Sequence, residues 1–272
     1  MNRARPIGWL PIARTRRFPV DVVSRLRAAG CVFAEDEARL ITSAASTMNE
    51  LTAIVEQRIA GRPLEHILGW AEFCGLRIEL DQGVFVPRRR TEFLVHRAIT
   101  VAPSGAVAVD LCCGSGAVGA ALAAAVDQVE LYAVDIDPTA VRCARCNLTF
   151  AGAEVYEGDL CRPLPTHLRG RVDVLVCNAP YVPTQAIDLL PPEARKHEDP
   201  VALDGGSDGL DVVRRLVSEA PRWLAPGGHL LFEVSEAQAS DAAGIVAGHE
   251  LIASVAGSDD FDATVVMGRM PA

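Results

Sequence analysis

Val107-Ala-Val-Asp110-Leu-Cys112-Cys113-Gly114-Ser115-Gly116 reads as an apolar strand that turns on glycines into a helix. Glycine lets a backbone turn tightly and approach a ligand closely. In a doubly wound α/β sheet, the crevice at the carboxyl end of the first strand is where ligands sit. Outward from this stretch the pattern alternates. Helix 117–126 is followed by strand 130–135, helix 138–149, strand 153–157 and strand 171–177. A polar, proline-rich loop leads to helix 209–223, strand 229–234, helix 236–247 and a hairpin of 250–256 with 263–268. Upstream, helix Thr91–Val101 feeds the first strand. Apolar strands alternating with helices predict an α/β fold with a parallel, doubly wound sheet covered on both faces. The final hairpin adds an antiparallel strand at or near its edge.

Further toward the N-terminus the period changes. Val22, Val23, Leu26 and Ala29 recur at helical spacing, as do Ala38, Leu40, Ile41 and Ala44, then Leu51, Ile54, Val55 and Ile59. Gly61 and Pro63 end that run. The expected organisation is a basic tail over 1–18, a small helical domain over 19–72, a β-hairpin linker over 73–87 and the main domain over 88–272. The linker strands are expected at Phe73–Leu80 and Val84–Val86, around Asp81-Gln82-Gly83.

Composition narrows the class. The 272 residues are 50% hydrophobic with a net charge of −9, which excludes a disordered chain. The longest apolar run, Gly116–Val126, is far short of the roughly 18 residues a bilayer span needs. The apolar stretch near the start is brief and broken by Pro6 and Pro11, so no secretory signal is read. Net acidity argues against a grip on duplex DNA, where phosphate neutralisation supplies much of the affinity. Eight cysteines in largely apolar contexts indicate a reducing cytosol rather than a disulfide framework. Cys143-Ala-Arg-Cys146 has metal-ligand spacing, but no second pair completes a zinc site. On a helix the pair reads as a packing face.

Three acids follow three successive strands: Asp110, Asp135 and Asp159. Asp135 lies 19 residues after Gly116, where an acid can accept hydrogen bonds from both ribose hydroxyls. The set fits an adenosine ligand, with Asp110 beneath the turn, Asp135 on the ribose and Asp159 on the adenine amino group. Gly114-x-Gly116-x-x-Gly119 formally matches a dinucleotide turn. A nicotinamide dinucleotide, a flavin dinucleotide and S-adenosylmethionine all remain open at this point.

Strand 171–177 runs into Asn178-Ala179-Pro180-Tyr181. Pro180 biases Ala179 toward extended geometry, which can turn its carbonyl outward beside the Asn178 side chain. Two oxygen acceptors and an aromatic wall match a planar –NH2 donor, either a carboxamide or the exocyclic amine of adenine.

Asn178-Ala-Pro-Tyr181 resembles the Asn-Pro-Pro-Tyr motif of methyltransferases that act on planar nitrogen. More of the chain resembles one branch, the HemK-type protein-(glutamine-N5) methyltransferases that modify peptide-chain release factors. The matching text includes Gly61-Arg-Pro-Leu-Glu-His-Ile-Leu-Gly69, Glu72-Phe73, Val86-Pro-Arg88, Thr91-Glu92 and Asp110-Leu-x-x-Gly-Ser-Gly116. It continues through Asp135, Asp159, Glu198–Leu210, Leu231-Phe-Glu233 and Gln238. The chain departs from the family at Cys112 for a glycine, Ala179 for a proline, and Arg89-Arg90 for Pro-Glu.

The resemblance implies a Rossmann-like class I methyltransferase with S-adenosyl-L-methionine as cofactor. It implies a cofactor site of Asp110, Cys112, Gly114, Gly116, Asp135, Asp159 and Asn178, and a catalytic group of Asn178, Ala179, Pro180 and Tyr181. It also implies a protein substrate, a release factor, engaged in part by the helical domain. Asp204-Gly-Gly206-Ser-Asp-Gly209 is expected beside the substrate pocket. Arg88–Arg90 either contact substrate or cofactor carboxylate or form a solvated run, and His197 reads as a surface residue. Two other functions stand beside this one: a nucleic-acid adenine-N6 methyltransferase, and a cofactor-binding protein without activity.

Overall fold

A computed structural model describes residues 20–272, so the basic tail expected over 1–18 lies outside the described residues. Contacts divide the chain into two compact units, with the break after Leu64.

The first unit carries helices α1 (Val20–Ala28), α2 (Ala34–Ala44) and α3 (Met48–Ile59). Leu26, Ala38, Ile41, Leu51 and Val55 are buried, as their spacing predicts. Thr47 and Glu50 form a capping box that starts α3. Arg58 donates from Nε and Nη2 to the two carboxylate oxygens of Glu37 at 2.6 and 3.2 Å. This forked geometry ties α3 to α2.

In the second unit, after the short helix α4 (Leu64–Leu68), β1 (Trp70–Phe73) pairs antiparallel with β2 (Leu76–Glu79). The expected hairpin of 73–80 with 84–86 is therefore displaced. Cys74 and Gly75 both adopt positive φ, +49° and +72°, as a two-residue primed turn requires. The chain turns there, not at Asp81-Gln82-Gly83. Val84 and Val86 are buried with Leu80, Ala140 and Cys143 without joining a strand. Cys143 donates to the Glu79 carbonyl at 3.2 Å, while Cys146 is exposed, so the two cysteines do not share a packing face.

The remaining elements are α5 (Glu92–Val101), β3 (Val107–Leu111), α6 (Ala117–Ala125), β4 (Glu130–Asp135), α7 (Pro138–Leu148), β5 (Glu154–Glu157) and β6 (Val172–Cys177). They continue with α8 (Pro192–His197), α9 (Asp211–Glu219), β7 (Leu224–Val234), α10 (Ala239–Ala247), β8 (Ile252–Ser258) and β9 (Ala263–Arg269). Among the described residues, seven strands form one sheet in the order β5-β4-β3-β6-β7-β9-β8. β5 through β7 run parallel, and β9 lies antiparallel between β7 and β8. Helix 209–223 ends early, at Glu219, and a 3₁₀ turn over Ala220–Arg222 follows. Pro221 has no N–H to continue the ladder.

Two-residue alternation assigns each strand residue to one face. Val109, Leu111, Leu175, Phe232 and Val266 join one core with α9. Ala108, Val174, Val176, Leu231 and Val265 join another with α5 and α6. The strand order reverses between β3 and β6, and the crevice of a doubly wound sheet forms at such a switch point. No helix among the described residues is long and apolar enough to cross a membrane.

Candidate active site

A cavity of about 450 Å³ opens at the carboxyl ends of β3, β4 and β6. The glycine turn, Asp135 and Asp159 line one half, and Asn178, Pro180, Tyr181, Arg88 and Arg90 line the other.

The turn after β3 departs from ordinary backbone at three positions: Cys112, Gly114 and Gly116 have φ of +52°, +54° and +78°. Gly116 opens α6, and a Cβ there would lie 3.1 Å from Leu148 Cγ and 3.2 Å from Ala144 Cα. Cys112 adopts left-handed backbone without being glycine, which costs roughly 1–2 kcal/mol. Gly114 lines the cavity, and a Cβ on it would meet nothing within 4 Å. It therefore leaves bare backbone facing the cavity.

Gly119, third in the formal dinucleotide pattern, has a different role. Its N–H donates to Asp110 Oδ2 at 2.8 Å, and a Cβ there would lie 3.2 Å from that oxygen. Its small size brings α6 onto Asp110, which is buried beneath the turn as expected. Burial pushes the Asp110 carboxyl up to about 7 from its ordinary 3.8; the Gly119 N–H pulls it down and the Asp135 charge raises it. The folded pKa lies above the unfolded one, so the stabilisation is complete below pH 3.8 and lost as pH rises through about 7. Asp110→Asn keeps an oxygen for Gly119 but cannot ionise. Relative to the parent, its stability in urea denaturation without ligand is expected to improve by about 3 kcal/mol between pH 5 and 8. A pH-independent difference would contradict this account.

Asp135 ends β4 and is largely enclosed. Its Oδ2 accepts the Gly114 N–H at 2.8 Å and its Oδ1 the Asp137 N–H at 2.9 Å, so it braces the turn it faces. Burial raises its pKa, and those N–H groups oppose the rise. Asp159 also lines the cavity, but arrives with a partner that the sequence reading missed. Arg215 on α9 donates from Nη2 to its two oxygens at 2.6 and 2.5 Å. Nothing local to Asp159 signals a guanidinium 56 residues away.

Asn178-Ala179-Pro180-Tyr181 leaves β6 into the same cavity, with Ala179 buried and Asn178 half-buried. Tyr181 is held at both ends. Its hydroxyl donates to Glu233 Oε1 at 2.9 Å, and its carbonyl accepts from Gln238 Nε2 at 2.9 Å. Burial raises the phenol pKa, as does the neighbouring Glu233. The loop Asp204–Gly209 lies against this turn, as expected. Val182 N donates to Leu203 O at 3.1 Å and Gly205 N to Val182 O at 2.9 Å. A Cβ on Gly205 would lie 2.7 Å from the Pro180 carbonyl oxygen, and one on Gly209 would collide with the Tyr181 carbonyl and Gln238.

The arginine run divides. Arg88 lines the cavity and donates to Glu198 Oε1 at 2.5 Å, an oxygen that also takes the Val86 N–H at 3.3 Å. Arg90 lines the cavity with its Nε 3.9 Å from Glu233 Oε1. Arg89 sits outside it, 6.0 Å from the Phe261 ring. His197 also lies outside, and the buried residue of that segment is its neighbour Glu198. Glu233 had a signal in the sequence: an acid inside the apolar run Leu230-Leu-Phe-Glu-Val234.

A switch-point crevice, a bare-backbone turn, acids after successive parallel strands and an Asn-x-Pro-Tyr turn in one cavity define a class I S-adenosylmethionine-dependent methyltransferase. The Methyltransferase small domain family matches residues 76–190. Over 194 residues the chain is 40% identical to the release factor glutamine methyltransferase of Geobacter sulfurreducens, covering 71% of this chain and 67% of that protein. Over 242 residues it is 34% identical to the enzyme of that name from Bradyrhizobium diazoefficiens, covering 80% and 81%. The crystal structure of a methyltransferase from Pyrococcus furiosus superposes with a TM-score of 0.53 at 16% identity, over 73% of this chain and 90% of that one. The chain belongs to the release factor glutamine methyltransferase family.

Proposed function

We propose that this enzyme methylates the side-chain amide nitrogen of a glutamine in a peptide-chain release factor. One observation carries the reading: a single cavity joins the cofactor turn to Asn178–Tyr181, so methyl donor and planar nitrogen can meet in it. Asp135 would take the ribose hydroxyls and Asp159 the adenine amino group. Cys112, Gly114 and Gly116 would present backbone to the cofactor, Asp110 supports that turn from below, and Asn178 lies where the two halves meet. When bound, S-adenosylmethionine supplies an electrophilic methyl on a sulfonium.

The acceptor is a weak nucleophile because its lone pair is delocalised into the carbonyl. Hydrogen bonds from its –NH2 to Asn178 Oδ1 and the Ala179 carbonyl hold the nitrogen and favour a more tetrahedral geometry. Their dipoles point at the positive charge that develops there, which is electrostatic stabilisation of the transition state. Alignment with the methyl supplies the proximity contribution. The methyl would pass from sulfur to the nitrogen, leaving the cofactor as the neutral thioether, and the methylated nitrogen would release its proton to solvent without a dedicated base. Tyr181 and Pro180 exclude water from the reacting atoms.

The test is incubation of the enzyme and labelled S-adenosylmethionine with a purified release factor, with single-stranded DNA, and with lysate of a strain lacking the gene. The expected result is label on one glutamine side chain of the release factor, located by peptide mapping. Label on adenine, or on a protein carbon or sulfur, would overturn the reading.

A further inference from the structure

Glu233 is a buried acid near the carboxyl end of an inner strand of the sheet. It lies on β7, only 2% exposed, between Phe232 and Val234. Its neighbour on β9 is Val265, and the groups facing it are Tyr181, Arg90 and Thr91. One oxygen, Oε1, accepts from the Tyr181 hydroxyl at 2.9 Å. The Thr91 hydroxyl faces the carboxylate and favours its charged form, while Oε2 makes no hydrogen bond within 3.5 Å. Stability of the fold does not require such a group. An apolar side chain of similar volume in place of a buried ion is often neutral or stabilising.

What the acid does is hold one end of a residue whose other end is held separately. Gln238, a turn beyond the end of β7, donates to the Tyr181 carbonyl. Its own Oε1 is occupied by the Ser235 N–H and hydroxyl at 3.1 and 2.7 Å. Gly209 leaves room for that contact only because it has no Cβ. The Tyr181 ring is therefore fixed from β7 and the segment after it, and Tyr181 continues the turn that carries Asn178 and the Ala179 carbonyl.

We propose that Glu233 is a positioning residue for methyl transfer: through the Tyr181 hydroxyl it sets the Asn178–Tyr181 turn at the acceptor amide. The proposal rests on the functional reading above and adds to it a residue that touches neither substrate nor cofactor.

The test compares kcat, KM for the acceptor, Kd for S-adenosylhomocysteine and Tm for the parent, Glu233→Gln, Glu233→Leu, Tyr181→Phe and the Tyr181→Phe/Glu233→Leu double variant. Glu233→Leu is expected to lower kcat by about 20-fold or more, with cofactor Kd within about threefold. Glu233→Gln keeps an acceptor oxygen and is expected to stay within about threefold of the parent in kcat. The double variant is expected to fall no further than Glu233→Leu, within about twofold, because both changes break one link. Tyr181→Phe alters no core packing and guards against a misfolded Glu233→Leu; its kcat loss is expected to match within about threefold.

Parental kcat in Glu233→Leu or Tyr181→Phe, cofactor affinity falling in step with kcat, no rescue by Gln, or multiplicative losses in the double variant would each overturn the proposal. A parent enzyme that leaves the release factor unlabelled would defeat the functional reading alone. The variants would then be compared on the acceptor labelled in lysate.

Discussion

Asn178→Ala is expected to lower kcat by up to about 30-fold while cofactor Kd changes by no more than about threefold. The residue leaves β6 into the cavity that the glycine turn shares, and its side-chain oxygen is the acceptor proposed for the amide –NH2. In the ground state that nitrogen is neutral and planar; as the methyl arrives it gains positive charge. A hydrogen bond to a charged group contributes about 1.5–3 kcal/mol, compared with about 1 kcal/mol for a neutral one. Alanine loses mostly the interaction that strengthens in the transition state, so the loss falls on kcat rather than on KM. Steady-state kinetics with the labelled acceptor and calorimetry with S-adenosylhomocysteine separate the two. A kcat within about threefold of the parent would mean that Asn178 does not hold the reacting nitrogen.

Asp135→Ala is expected to weaken cofactor binding by about 100-fold or more. Two losses combine. The charged acceptors proposed for the ribose hydroxyls disappear, and the N–H groups of Gly114 and Asp137 lose the oxygens that now take them at 2.8 and 2.9 Å. An N–H left without a partner in a mostly enclosed site costs about 1–3 kcal/mol. The turn would no longer be tied to β4. Asp135→Asn keeps one carbonyl oxygen and is expected to fall between the two. Calorimetric titration with S-adenosylhomocysteine measures both, and an unchanged Kd in the alanine variant would remove Asp135 from the cofactor site.

Much of the glycine-turn half of the cavity was legible because it is local. A strand ends, glycines turn the chain, and an acid follows; each feature is set by residues within a few positions. The hairpin shows where local reading misleads. Gly75 and Gly83 are both turn glycines by composition, and both have positive φ. Pairing follows the first, because Cys74 beside Gly75 accepts left-handed backbone and the flanking strands match in register. Arg88, Arg89 and Arg90 look alike in the sequence, yet one meets Glu198, one lies by an aromatic ring outside the cavity, and one faces Glu233.

The sequence by itself determined the α/β alternation, the order of the motifs and the type of chemistry, since periodicity, glycine turns and strand-end acids act over short stretches of chain. Only the tertiary structure decided that Arg215 answers Asp159 and that Glu233 and Gln238 grip Tyr181, across 56, 52 and 57 residues. Those meetings depend on sheet order, which places β7 beside β6 and lays α9 over the cavity. Local composition is indifferent to that order; burial of both sheet faces and the placement of the crossovers set it.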